Sequence, residues 1–337
     1  MSHGYRRFEV AAMGDGASEL WRAIREATPP EEAITVGRVL QTYDRSAYLE
    51  LDPALTDAVS TPGPSLVLVG GPSFSGPLSM QLRIDDPGGF DAAALAADAA
   101  CRLRTGVDES GASVLSIGET VDVVFDESVL ELGGSTLGCV TAMPEIDRGD
   151  PVWTGARAVL RWVIEADLED GLGWLEAVAA IVEDETVDND LRSLVAEWVD
   201  VLSSAVPPAD TEVTAILGRG PGATPSGDDI LSGMILAAWA MTRGVHRDRV
   251  QGLGSHLVEE GIDRTTTVSV ALLAQAAVGR AGDSARAALE ALLSPGVSAE
   301  RRQAAATRLT SVGHTSGTDI LVGMLTTVLL VAPQIEG

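Results

Sequence analysis

The first part of the chain alternates short apolar runs with turn residues. Residues 36–51 predict a pair of strands, and the Ala-rich residues 91–103 predict a helix. Three further runs are rich in β-branched residues and bounded by Gly, Pro or Asp, which is typical of strands joined by turns: residues 65–69, 80–84 and 120–125. The pattern therefore predicts a β-rich N-terminal domain over residues 1–150.

The hydrophobic period becomes helical from about residue 152. Apolar positions recur at spacings of three and four, with acidic residues between them. The predicted helices cover residues 154–166, 171–184, 188–205, 226–243, 247–260, 265–280, 283–293, 298–310 and 317–331. This pattern predicts a helical domain over residues 151–337, and hence an α+β protein with its strands first.

The composition excludes some classes of protein. The chain has 337 residues, of which 45% are hydrophobic, so it can bury a sizeable core. All 23 basic residues are Arg, against 49 acidic residues, and the net charge is −26. Such a charge repels phosphate backbones and anionic lipids, so we expect neither a nucleic-acid nor a membrane partner. The acidic excess favours a halophilic protein; a GC-rich genome would explain only the missing Lys.

Localisation and cofactors follow from what the sequence lacks. The uncharged stretch 320–332 is shorter than the ~20 residues of a membrane-spanning helix, so we expect a buried helix there. Cys101 and Cys139 have no metal-ligand spacing, and the first residues lack the apolar core of a signal peptide. We therefore expect a cytoplasmic protein with no metal and no cofactor.

A short motif occurs twice. Residues 226–234 (SGDDILSGM) recur as residues 316–324 (SGTDILVGM) with seven of nine positions identical. Ser226 and Ser316 are predicted N-caps, with Asp229 and Asp319 at the capping-box spacing. The glycines within each copy, Gly233 and Gly323, disfavour helix by about 1 kcal/mol each, so close approach of two helices across a pseudo-twofold axis is expected. Two tightly packed helices without any ligand satisfy the same pattern.

The segment before the first copy suggests an anion site. Gly218, Gly220 and Gly222 alternate just before a helix start, where free N–H groups suit phosphate or carboxylate. No Lys is present to complete a P-loop. Asp228 and Asp229 are candidate helix caps or acceptors of substrate N–H groups. A divalent-cation site is the third interpretation, and the lack of another Asp/Glu cluster with ligand spacing nearby in the sequence disfavours it.

Two other helix starts carry polar clusters. His314 lies in a loop before the second copy and is a candidate general acid or base, or a structural histidine. Residues 263–269 (DRTTTVS) hold more hydroxyls than capping requires, and Arg264 is suited to clamp a carboxylate. The candidate substrate-binding residues are Gly220, Gly222, Thr224, Ser226, Gly227, Arg264, Thr265, Thr266, Ser269, Ser316, Gly317 and Asp319; the candidate catalytic residues are Asp228, Asp229 and His314.

These motifs resemble those of the AllH-type family, which is associated with oxamate carbamoyltransferase in allantoin breakdown. The residues that carry the resemblance are GPGATPSGDDILSG at 220–233, RTTTVSVALL at 264–273 and GHTSGTDILVGML at 313–325, within about residues 213–331. The resemblance implies a cytoplasmic subunit of a multi-component carbamoyltransferase, with small-molecule substrate, phosphate and further carbamoyltransferase subunits as partners.

The implied reaction converts oxalurate and phosphate to oxamate and carbamoyl phosphate. Because no strong nucleophile is evident, direct transfer through positioning and electrostatic stabilisation is expected. Two alternatives remain: a non-catalytic scaffold or regulatory subunit, and a metal-dependent hydrolase using Asp228, Asp229, His314 and Asp319.

Overall fold

The structure is a computed structural model in which the chain divides into two units, residues 1–135 and 136–337. It describes residues 6–29, 32–56, 63–71, 75–84, 90–106, 111–130, 148–183, 190–203 and 212–334, together with residues 59, 137 and 146. Strands occupy the first unit and helices dominate the second, so the predicted α+β class is confirmed. The domain boundary near residue 150, which rests on the change of pattern, stays a prediction.

The described strands of the first unit form a closed barrel. They are β1 (Arg6–Met13), β2 (Ala33–Thr42), β3 (Ser46–Leu51), β4 (Leu66–Gly70), β5 (Ser79–Arg83), β6 (Ala100–Arg104), β7 (Ser113–Ile117) and β8 (Val121–Phe125). The order around the barrel is β1-β5-β4-β3-β2-β6-β7-β8, closed by a parallel pairing of β1 with β8. The predicted strands at 36–51, 65–69, 80–84 and 120–125 are therefore confirmed, with ends shifted by a few residues.

A helix between the first two strands packs against the barrel core. Helix α1 (Asp15–Ala27) buries Trp21 and Ile24 completely, and the ring centroid of Trp21 lies 5.5 Å from that of Phe125. Two single-turn helices follow in the same unit, α2 (Pro53–Thr56) and α3 (Glu127–Leu130).

The helix predicted at residues 91–103 is wrong. This segment forms one 3-10 turn, Ala92–Ala94, and then strand β6. Asp98 adopts a φ of 61°, which ends any helix, and its carboxylate pairs with Arg38 on β2. In β6 the buried Cys101 and Leu103 alternate with exposed residues, so sheet pairing outweighs the helix propensity of alanine.

The second unit is a bundle of helices around a continuous apolar core. Its described helices are α4 (Pro151–Glu165), α5 (Trp174–Val182), α6 (Asp190–Ser203), α7 (Glu212–Ala215), α8 (Ser226–Met241), α9 (Val245–Gly261), α10 (Thr267–Ala277), α11 (Asp283–Leu293), α12 (Ala299–Thr310) and α13 (Ser316–Thr326). The predicted helices are confirmed, except that residues 184–189 and 204–211 lie outside the described part.

The two copies of the repeated motif begin two helices of the bundle that are largely buried. Every residue of α8 is buried, and α13 runs into a buried π-helical turn, Thr327–Val331. Within the described residues, Ser316–Gln334 has the length and composition of a membrane-spanning helix, but 83% of its most apolar window is buried inside the protein. The prediction of a buried helix at 320–332 is thus confirmed.

Candidate functional site

Helices α8 and α13 cross at the two glycines of the repeat. A Cβ on Gly233 would lie 2.1 Å from the carbonyl oxygen of Ile320, and one on Gly323 would lie 2.0 Å from that of Ile230. Ile230 and Ile320 occupy the same position in the two copies, so the contacts are reciprocal. The expected close approach and its pseudo-twofold relation are confirmed.

The same relation holds where the helices begin. A Cβ on Gly227 or Gly317 would lie 1.9 Å from a carbonyl oxygen of the preceding segment, that of Ile216 or Leu309. Glycine at both positions therefore allows the first turn of each helix to pack closely against the backbone of the preceding segment. The two helix starts lie side by side.

The predicted N-caps are wrong. The N-cap residues are Pro225 and Thr315, and neither makes a side-chain cap. The hydroxyl of Ser316 instead hydrogen-bonds the carboxyl of Asp229, and that of Ser226 hydrogen-bonds Asp319. Each serine thus hydrogen-bonds the aspartate of the other helix.

The carboxyl of Asp319 also receives a hydrogen bond from a backbone amide. The N–H of Gly171 donates to Oδ1 of Asp319 at 2.8 Å, and Thr315 adds a side-chain hydrogen bond. Asp170 holds this loop in place, because its carboxylate accepts the backbone N–H groups of Trp174 and Leu175 at the start of α5. Burial raises the pKa of Asp319, which is 0% exposed, against these hydrogen bonds.

The Asp229 half has no equivalent amide. Asp229 is 5% exposed, and its carboxyl is hydrogen-bonded by the hydroxyls of Ser316 and Thr224, whose oxygens lie 3.0 Å apart. Its Oδ2 is buried and has no hydrogen-bond partner among the described residues. Burial holds the pKa of Asp229 well above the usual range, and the neighbouring charges of Asp319 and Asp228 raise it further. Its surroundings therefore favour the protonated form of this carboxyl more than water does.

Asp228 joins neighbouring segments of the protein. Its Oδ1 accepts the backbone N–H of Gly218 at 2.8 Å, and its Oδ2 accepts the hydroxyl of Thr265. With both oxygens bonded and 2% of the residue exposed, Asp228 fixes the Gly-rich turn to the start of α10. Its predicted catalytic role stays a prediction.

The start of α10 also lies against the Gly-rich turn. Thr266 caps α10 by accepting the N–H of Ser269 at 3.1 Å, and its hydroxyl donates to the carbonyl oxygen of Ala223. A Cβ on Gly218, whose φ is 72°, would lie 2.2 Å from the carbonyl oxygen of Arg264. The structure thus brings together the three helix starts that the sequence singled out.

The N–H groups predicted to bind an anion are partly used inside the protein. The N–H of Gly227 donates to the backbone carbonyl oxygen of Arg219, and that of Gly317 donates to the backbone carbonyl oxygen of Val312. Gly220 and Gly222 have φ values of 108° and 103°, and both lie exposed in the turn. Glycine at these positions provides the left-handed turn. Among the described residues, the oxygens of the two repeat aspartates that are buried without a partner are Oδ2 of Asp229 and Oδ2 of Asp319.

The other predicted residues lie at the edge of the cluster or beneath it. His314 is exposed in the turn before α13, at the position equivalent to Thr224. The Arg264 guanidinium lies 3.9 Å from Glu260. Ser269 is 1% exposed, and its hydroxyl has no partner among the described residues. Within the described part of the chain, no group of three or more His, Cys, Asp or Glu is arranged to hold a metal ion.

Sequence analysis missed Gly171, which lies in the turn 169–173 (EDGLG). A Cβ there would lie 1.8 Å from Oγ of Ser226, so only glycine fits between the two helix starts. The sole signal in the sequence is a turn composition shared by many loops.

Two other features bear on ligand chemistry. Cys101 is buried in the barrel unit, where burial raises its thiol pKa to about 12, so it is not a nucleophile at neutral pH; Cys139 lies outside the described residues. A cavity of about 750 Å³ in the helical unit is lined by Arg148, Arg192 and mainly apolar residues of α6 and the C-terminal segment.

Residues 216–328 match the family model described as oxamate carbamoyltransferase subunit AllH. The matched segment contains all three helix starts and both copies of the repeat. The resemblance predicted from the motifs is thus confirmed over this third of the chain. No solved structure matches the chain.

Proposed function

We propose that the chain is a carbamoyltransferase subunit whose ligand site lies where α8 and α13 begin. The observation that carries this proposal is the buried Oδ2 of Asp229, which has no partner among the described residues although it lies between two hydroxyl-bearing helix starts. A buried polar group without a partner costs about 1–3 kcal/mol, so a ligand that satisfies it would offset that cost. Its location inside the matched segment links the site to the family's reaction.

The proposed reaction interconverts oxalurate and phosphate with oxamate and carbamoyl phosphate. A phosphate oxygen attacks the ureido carbonyl carbon, a C–O bond forms, and the C–N bond to the oxamate nitrogen breaks. That nitrogen needs a proton as it leaves. A neutral Asp229 suits this role, since the carboxyl can give its proton to the nitrogen and recover one from the hydrogenphosphate.

The surrounding residues divide the remaining roles. Thr224 and Ser316 are partly exposed and lie against Asp229, so they are placed to orient a ligand beside the carboxyl. Arg264 and His314 lie towards the solvent, where a cation or a hydrogen-bond donor suits the ligand's carboxylate or phosphate. Asp228 positions the turn rather than the ligand.

A scaffold role is the second candidate. It is favoured by Asp228, Thr265 and Thr266, whose hydrogen bonds are all made within the protein. On that account the cluster only fastens helices together, and the purified chain binds no small molecule.

Calorimetric titration of the purified full chain at high salt separates the two candidates. The ligands are phosphate, oxamate and oxalurate, and the control variant is Gly252→Ala, which alters an exposed helix position with open space around it. The proposal expects saturable binding of at least one ligand, unchanged in Gly252→Ala and lost in Asp229→Val. Absence of binding for all three ligands would contradict it and favour the scaffold.

A further inference from the structure

The two halves of the helix crossing differ in one hydrogen-bond donor. At Asp319 the chain supplies a backbone amide, the N–H of Gly171, at 2.8 Å. At Asp229 the hydrogen bonds come from the hydroxyls of Ser316 and Thr224. Oδ2 is buried without a partner among the described residues in both aspartates, but only the Asp319 carboxyl receives a backbone amide. Since both aspartates follow the same motif and each is bonded by the serine of the other helix, the amide at Asp319 is a departure from the pseudo-twofold relation.

Protein interiors rarely leave such an oxygen without a donor. The N–H of Gly171, which donates to Oδ1 of Asp319, shows what chemistry this environment accepts, namely a planar amide N–H approaching a carboxyl flanked by hydroxyls. A ligand with the same group can complete the Asp229 half, provided that it reaches the carboxyl past the partly exposed Thr224 and Ser316.

We propose that an amide or carbamoyl NH2 group of the substrate donates to Oδ2 of Asp229, in the role that the Gly171 amide has at Asp319. The inference rests on the proposed function and deepens it, because it names the part of the ligand that this chain recognises. It also agrees with the proton transfer above. Once Asp229 has given its proton to the leaving nitrogen, the resulting carboxylate accepts a hydrogen bond from the new N–H.

The proposal predicts a preference between two ligands of the same size and charge. Oxamate and pyruvate both carry one carboxylate and one keto or amide carbonyl, but pyruvate has a methyl group where oxamate has NH2. Leaving a buried acceptor such as Oδ2 of Asp229 without a donor changes affinity by about 5- to 150-fold. The full-length wild-type chain should therefore bind oxamate at least about 5-fold more tightly than pyruvate.

Variants at Asp229 test whether this carboxyl is the source of the preference. Asp229→Val keeps a branched side chain of similar size without an acceptor, and should reduce the ratio of the two affinities to about 1. Asp229→Asn keeps a carbonyl oxygen, and should retain part of the preference. Gly252→Ala should leave the wild-type ratio unchanged.

The outcomes distinguish this inference from the function on which it rests. Equal binding of oxamate and pyruvate, or a preference that persists in Asp229→Val, would overturn the inference while the ligand site stands. Binding of neither compound by the folded wild-type chain would overturn the inference, and the proposed function falls with it if phosphate and oxalurate also fail to bind. If Asp229→Val does not fold, the wild-type ratio and its reduction in Asp229→Asn still decide the question.

Discussion

The crossing of α8 and α13 makes a quantitative prediction about glycine. In Gly233→Ala the new Cβ would lie 2.1 Å from the Ile320 carbonyl oxygen, whereas real Cβ contacts are essentially never under 3.0 Å. The helices must therefore part by about 1 Å at their closest point. Overpacking of this kind costs about 1–3 kcal/mol, and more where the obstacle is backbone, while alanine returns up to about 1 kcal/mol of helix propensity.

We expect Gly233→Ala to lower the free energy of unfolding by about 2 kcal/mol, or the midpoint temperature by about 4–8 °C. Gly323→Ala should behave alike, since its Cβ would lie 2.0 Å from the Ile230 carbonyl oxygen. Gly252→Ala makes the same chemical change in α9 with nothing within 4 Å, and should raise stability by about 0.5–1 kcal/mol.

Thermal unfolding followed by far-ultraviolet circular dichroism compares the three variants, because the helical unit dominates that signal. The opposite signs at Gly233 and Gly252 are the essential result. If Gly233→Ala were as stable as Gly252→Ala, the two helices would not be in backbone contact, and the shared site at their starts would lose its structural basis.

Three further predictions concern charge. Burial raises the pKa of Asp229, so the folded chain keeps this proton after the unfolded chain has released it, and stability falls as pH rises above the ordinary Asp value of about 3.9. Asn cannot ionise, so Asp229→Asn removes this loss of stability. Its melting temperature should match that of the wild type near pH 4 and exceed it increasingly towards pH 8. A difference in melting temperature that stays constant with pH would refute the raised pKa of Asp229. Arg302 is 8% exposed and donates to the carbonyl oxygens of Ala291 at 3.1 Å and Ser294 at 2.8 Å. In urea unfolding, Arg302→Leu should therefore lower the free energy of unfolding by about 2 kcal/mol or more, whereas Arg301→Leu, at an exposed position, should lower it by about 0.5 kcal/mol. Equal losses in the two variants would contradict this prediction. The net charge of −26 should make the protein more stable in 1 M than in 0.1 M NaCl, because the Debye length falls from about 10 Å to about 3 Å; an unchanged melting temperature would remove the case for salt adaptation.

Periodic patterns account for the elements that sequence analysis predicted correctly. The helices of the second unit carry apolar residues at helical spacing over several turns, and the strand pair at 36–51 is bounded by turns. The helix prediction for residues 91–103 was wrong because the alanines favour helix locally, whereas the pairing of β6 with β2 and β7 determines the structure. Such pairing depends on residues distant in the sequence.

The site was predictable only where the two motif copies resemble each other. Their glycines indicated the close approach, since glycine inside a helix needs a compensating contact. The hydrogen bonds of Ser226 and Ser316 to the aspartate of the other helix were not predictable. A serine that caps its own helix would give the same spacing in the sequence. The contact of Gly171 with Asp319 spans 148 positions, and nothing local to a turn indicates such a partner.

The most direct test of the account is a crystal structure of the full chain with oxamate. The amide nitrogen of oxamate should lie within about 2.7–3.2 Å of Oδ2 of Asp229, beside the hydroxyls of Thr224 and Ser316. Oxamate bound elsewhere, such as in the cavity lined by Arg148 and Arg192, with Asp229 untouched, would contradict it.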